Sequence, residues 1–131
     1  MSWLLDVNAL IALAYQGHAD HSRVIRWFAS LLGSESGLAT CAFTEIGFVR
    51  VSIQAGFESN APNAVETLSG LKASSRLPFH LVPDSLGADH LPSYVTGARQ
   101  VTDGHLLALA KASSLQLVTL DKGIPGAFLI P

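Results

Sequence analysis

Trp3-Leu4-Leu5-Asp6-Val7-Asn8-Ala9-Leu10 decides how the rest of the chain is read. An apolar run meets a lone acid, and a second apolar run begins at once. The first run predicts a buried strand, and the second, after Asn8 as N-cap, a short helix over residues 9–15. A carboxylate at the seam between two buried elements is costly unless it is paired. No basic residue lies nearby in sequence, so either a distant Arg or Lys or a metal ion must neutralise Asp6.

Working outward, Gly17 ends that helix. Val24, Trp27, Phe28, Leu31 and Leu32 recur at spacings of three and four and predict an amphipathic helix over 18–32. Strands are expected at 37–41, 79–82, 115–120 and 128–130, and helices at 44–54 and 63–73. Thr102 is the expected N-cap of a further helix reaching residue 114. Residues 83–99, with two prolines and two glycines, read as short helical turns and loop. Strands alternating with helices predict an α/β domain around a central parallel sheet.

Composition narrows the function. Of 131 residues 49% are hydrophobic and 14% charged, which excludes disorder and suits a single domain spanning 1–131. No apolar run is long enough to cross a bilayer, and no leader pattern is read at the start. One cysteine, Cys41, allows no intrachain disulfide, fits a reducing compartment such as the cytoplasm, and reads as a small buried hydrophobe. The net charge of −2 predicts no broad basic footprint. If four of the ten acids filled one metal pocket, however, the eight Lys and Arg would outnumber the rest and leave a mildly basic rim for phosphate.

Four acids fall at expected element ends: Asp6 and Asp121 after buried strands, Glu45 and Asp103 in first helical turns. Such ends gather at one edge of a parallel sheet, where ligands bind. A helix N-terminus also favours an ionised carboxylate. Each acid has a small polar neighbour (Asn8, Thr44, Thr102 or Thr119) able to hydrogen-bond it. Oxygen donors without a Cys/His cluster suit Mg²⁺ or Mn²⁺, and such ions support phosphodiester hydrolysis. Asn8 and Arg50 are candidate substrate contacts, Arg50 through a phosphate. His18 and His21, three apart, read as capping or packing groups, and Trp27 as core.

Four blocks resemble those of PIN domains, and more narrowly the VapC-type toxins of type II toxin–antitoxin systems. They are Leu5-Asp6-Val7-Asn8-Ala9-Leu10, Thr44-Glu45-Ile46-Gly47-Phe48-Val49-Arg50, Val101-Thr102-Asp103-Gly104-His105-Leu106-Leu107-Ala108-Leu109-Ala110 and Val118-Thr119-Leu120-Asp121-Lys122-Gly123. The resemblance implies a three-layer α/β/α sandwich and a Mg²⁺- or Mn²⁺-dependent endoribonuclease acting on RNA. It implies an acidic quartet of Asp6, Glu45, Asp103 and Asp121, with Asp6 and Asp103 as principal metal ligands. The other two would complete the site through water or a second ion. It further implies a homodimer and a cognate VapB-type antitoxin. Two other functions fit less of the chain. An aspartyl phosphatase would want a second acid where Asn8 stands, and a non-catalytic PIN-like binding module would use its acids only to hold structure.

Overall fold

The computed structural model describes residues 1–131. Five strands, β1 (Ser2–Leu5), β2 (Gly37–Cys41), β3 (Phe79–Val82), β4 (Gln116–Thr119) and β5 (Phe128–Leu129), form one parallel sheet in the order β3-β2-β1-β4-β5. Five helices join them: α1 (Val7–Ala14), α2 (His21–Leu31), α3 (Ala42–Gln54), α4 (Ala61–Ser74) and α5 (Val101–Ala112). The expected α/β/α sandwich is present.

Alternation along the strands splits the core into its two faces. Leu5, Leu38 and Val118 pack beneath α1, α2, α3 and α4 with Leu10, Trp27, Phe48 and Leu68. Leu4, Ala39, Cys41 and Leu117 face the other way, onto Leu106, Leu109 and Ala110 of α5. Strand β1 is central, and the chain winds from it first to β2 and β3, then across to β4. That reversal opens a crevice beyond the carboxyl ends of β1 and β4, where open α/β sheets take their ligands.

Helix starts differ from expectation. The N-cap of α1 is Asp6, whose Oδ1 accepts from Val7 N–H at 2.8 Å; Asn8 lies inside the first turn. A cap two residues earlier lets the chain pass from strand to helix without a loop. Helix α5 starts at Val101 behind Gln100, so Thr102 is not its cap. Helix α3 starts at Ala42, because Thr44 reaches back to accept from Cys41 N–H at 3.0 Å. In addition α2 begins at His21 rather than residue 18. His18 Nδ1 accepts from Asp20 N–H at 2.9 Å, and His21 Nδ1 bonds the Ala12 carbonyl at 2.7 Å, the capping and packing roles expected of both. Residues 83–100 contain two short 3₁₀ turns, Ala88–His90 and Ala98–Gln100, in otherwise irregular chain.

Helix α3 crosses α1 closely at Gly47, where an added Cβ would stand 2.7 Å from Val7 Cγ2. Valine is stiff at χ1 and cannot easily yield. Gly47→Ala is therefore expected to lower stability by about 1–3 kcal/mol in urea unfolding. The double variant Gly47→Ala/Val7→Ala should recover much of that loss; a strictly additive pair would show that the two sites do not press on each other.

Candidate active site

Asp6 directly follows β1 and is 6% exposed. Its Oδ2 accepts from the Thr119 hydroxyl at 2.7 Å, and Thr119 closes β4 next door. The Thr119 oxygen also accepts from Asp121 N–H at 3.0 Å and from the Asn8 amide at 3.3 Å. Asn8 Oδ1 in turn accepts from Leu120 N–H at 3.1 Å. Strand ends 113 residues apart are thus fixed around one carboxylate. Asn8 spends its side chain on this bracing, and no second acid takes its place.

No Lys or Arg reaches Asp6, and burial is the largest influence on it. Desolvation, reinforced by the Asp121 charge, pushes its pKa above the usual carboxylate range against the hydrogen bonds from Thr119 and Val7. Asp103, on the first turn of α5, is pushed the same way by burial and then by the charges of Asp6 and Asp121. Asp121 is exposed after β4, with its Oδ1 accepting from Gly123 N–H at 2.8 Å. The fold therefore brings Asp6, Asp103 and Asp121 into one negative field.

Glu45 has a different setting. Its Oε2 takes Lys72 Nζ from α4 at 2.7 Å and a hydrogen bond from the Thr40 hydroxyl. Nothing local in the sequence links Lys72 to Glu45, which is why the sequence alone missed it. Arg50 lies five residues further along α3, exposed beside Phe43, Ile46 and Gly47. The other unforeseen partner is His105, whose Nε2 meets Asp84 Oδ2 at 2.5 Å. Burial would raise Asp84, but the bonds from His105 and Leu86 N–H and the His105 charge outweigh it and hold it below the usual range.

Three carboxylates in one field, one of them buried without a cation, are a donor set suited to a hard divalent ion. No group of three or more His, Cys, Asp or Glu side chains is arranged to hold a metal by itself. As placed, the aspartates are a charge cluster rather than a finished ligand shell. An ion that keeps several of its waters, as Mg²⁺ does, fits such a cluster.

The penalty on Asp6 sets a direction with pH. Unfolded, it ionises near 3.9; folded, it ionises higher. Between those values the unfolded chain releases its proton first, so stability falls as pH rises, and above them the penalty is complete. In EDTA near pH 7.5, Asp6→Asn, which keeps an acceptor for Val7 N–H, is expected to melt above wild type. That advantage should vanish toward pH 4. A lower melting temperature than wild type at pH 7.5 would show that the buried charge is compensated after all.

The PIN-domain family model matches residues 3–127. Ribonuclease VapC38 of Mycobacterium tuberculosis is 43% identical over 124 residues, 92% of this chain and 86% of that one. Ribonuclease VapC29 of the same species is 38% identical over 95% of this chain and 89% of its own. The crystal structure of the sarcin-ricin loop cleaving toxin VapC20, also from M. tuberculosis, superimposes with a TM-score of 0.68 at 14% identity, covering 98% and 99% of the two chains. Rickettsia felis VapBC2, solved bound to a promoter DNA fragment, gives 0.64 at 14% over 98% and 97%. At such identities the two structures speak for the fold, while the matched family model and the sequence relatives place this chain in the PIN-domain family, among the VapC ribonucleases.

Proposed function

We propose that this VapC-type ribonuclease is the toxin of a toxin–antitoxin pair and cuts RNA with a divalent cation, Mg²⁺ or Mn²⁺, held chiefly by Asp6 and Asp103. The observation that carries this is the field shared by Asp6, Asp103 and Asp121 with no cationic side chain answering it. Such a cation, when bound, supplies water activation and charge neutralisation on the scissile phosphate.

The chain's own residues do the rest. Thr119 and Val7 N–H fix the Asp6 carboxylate, so its geometry is set before substrate arrives. Asp121, exposed at the crevice, is the group best placed to reach solvent and orient an attacking water. Glu45, engaged with Lys72, completes the quartet through water rather than by direct ligation. Arg50 contacts the substrate as the phosphate-facing charge on α3, whereas Asn8, a candidate contact by type, is committed to Thr119 and Leu120 and braces the site instead. The product carries a 5′-phosphate, and the reaction runs in the cytoplasm within the single domain of 1–131.

A VapB-type antitoxin silences the site, as the name of the VapBC2 complex suggests for a protein of the same fold. The chain also pairs with a second copy. Phe43, Ile46 and Val101 lie exposed near the starts of α3 and α5, the helices that carry Glu45 and Asp103. They supply the apolar surface that protein partners need.

Structured RNA should be cleaved with Mg²⁺ and left whole with EDTA. Asp6→Asn and Asp103→Asn should each slow cleavage by about two orders of magnitude or more. Glu45→Gln should cost less than either. Equal cleavage by wild type and Asp6→Asn would refute the assignment.

A further inference from the structure

A cavity of about 410 Å³ opens between α2 and strands β1 and β5, a volume in the range of small-molecule sites. Three aromatic rings wall it. Trp3 on β1 meets Trp27 on α2 edge to face, with ring centroids 5.5 Å apart, and meets Phe128 on β5 at 5.0 Å. Trp27 is buried, while Trp3 and Phe128 are half-buried. Strand β5 is the edge of the sheet, so no further strand closes this side. The Trp3 indole N–H is sealed from solvent and finds no acceptor within the chain.

The rim is cationic. Arg23 and Arg26 of α2 line the cavity, and no Asp or Glu does. Arg23 is fixed in place: its Nε donates to the Ile130 carbonyl at 3.0 Å, and its guanidinium stands 3.7 Å from Asp20. Arg26, three residues on, is exposed and makes no ion pair. Ile130 N–H in turn donates to the Thr119 carbonyl at 3.0 Å, and the Thr119 hydroxyl holds Asp6. The rim is thus tied to the strand end that carries the acidic site. Strands β5 and β1 are two strand spacings apart, roughly 10 Å, a distance that neighbouring nucleotides of one RNA span.

The matching occupant is flat and apolar on one side and anionic on the other. Arginine is suited to phosphate, and unstacked bases of single-stranded RNA pack against aromatic side chains. The substrate of a ribonuclease supplies both features in each nucleotide. We propose that this cavity is a subsite for one nucleotide of the RNA substrate, with the base against Trp3, Trp27 and Phe128 and the phosphate on Arg26. This rests on the ribonuclease reading above, though not on which acids hold the cation.

The chain has two tryptophans and both line the cavity, so their fluorescence reports on it directly. In EDTA, 5′-AMP and 5′-UMP are expected to change that fluorescence saturably. Arg26→Ala should weaken this binding about tenfold, whereas Arg76→Ala, at an exposed arginine before β3, should not. Adenosine and inorganic phosphate, each carrying one part of the ligand, should bind more weakly than 5′-AMP. With Mg²⁺ present, Arg26→Ala should raise KM for RNA. The proposal is overturned if neither nucleotide gives a saturable change, or if inorganic phosphate binds as tightly as 5′-AMP, which would mark an anion site only. Nucleotide binding that survives Arg26→Ala, or an unchanged KM for RNA in that variant, overturns it as well. The two levels fail separately. A protein that cleaves no RNA with Mg²⁺ sinks the ribonuclease reading and the subsite with it; a protein that cleaves RNA yet binds neither nucleotide loses the subsite alone.

Discussion

The Thr119 hydroxyl, wedged between Asp6 and the backbone of Asp121, is the contact on which the site depends. It donates to the one carboxylate that burial penalises most and accepts from the residue that carries the next. Both strands end at this hydroxyl, so the sheet's register and the spacing of two acids are one constraint. Asn8 doubles the tie by bonding Thr119 and the Leu120 amide. A hydrogen bond to a charged, desolvated group is among the stronger ones, and here it joins parts of the chain 113 residues apart.

Against that constraint the acids sort by whether a basic side chain answers them. Asp20 meets Arg23 at 3.7 Å, Glu45 meets Lys72, and Asp84 meets His105. Glu35 and Glu66 are exposed to water. Asp6 and Asp103 have neither remedy: burial raises the pKa of each, Asp121 adds to both, and Asp6 adds to Asp103. A fold that leaves two partly or wholly buried carboxylates repelling one another gives up stability at one place, as functional sites do.

Much of the fold was legible because its strands are short apolar runs and its helices carry clear spacing. Phe79–Val82 and Gly37–Cys41 lie where the apolar pattern put them. Helix starts were less legible. Asn8 and Thr102 are good caps by type, yet the caps are Asp6 and Gln100, because the sheet edge and the docked 91–97 segment decide where each helix can begin. Of the candidate acids, the field shared by three could be anticipated from their positions at element ends. The pairing of Glu45 with Lys72 could not, since those residues sit on different helices 27 positions apart.

The layer order and the nuclease reading came with the resemblance to PIN domains; the sequence by itself determined an α/β domain around a central parallel sheet and the buried acid after the first strand. It could do so because apolar periodicity and a lone charge among hydrophobes are local properties of the chain. Only the tertiary structure decided which acids are compensated and which are not. Whether Lys72 reaches Glu45 or His105 reaches Asp84 depends on how α4, α5 and the 83–100 segment pack. Charge compensation acts across space between groups far apart in sequence, and no local pattern records it.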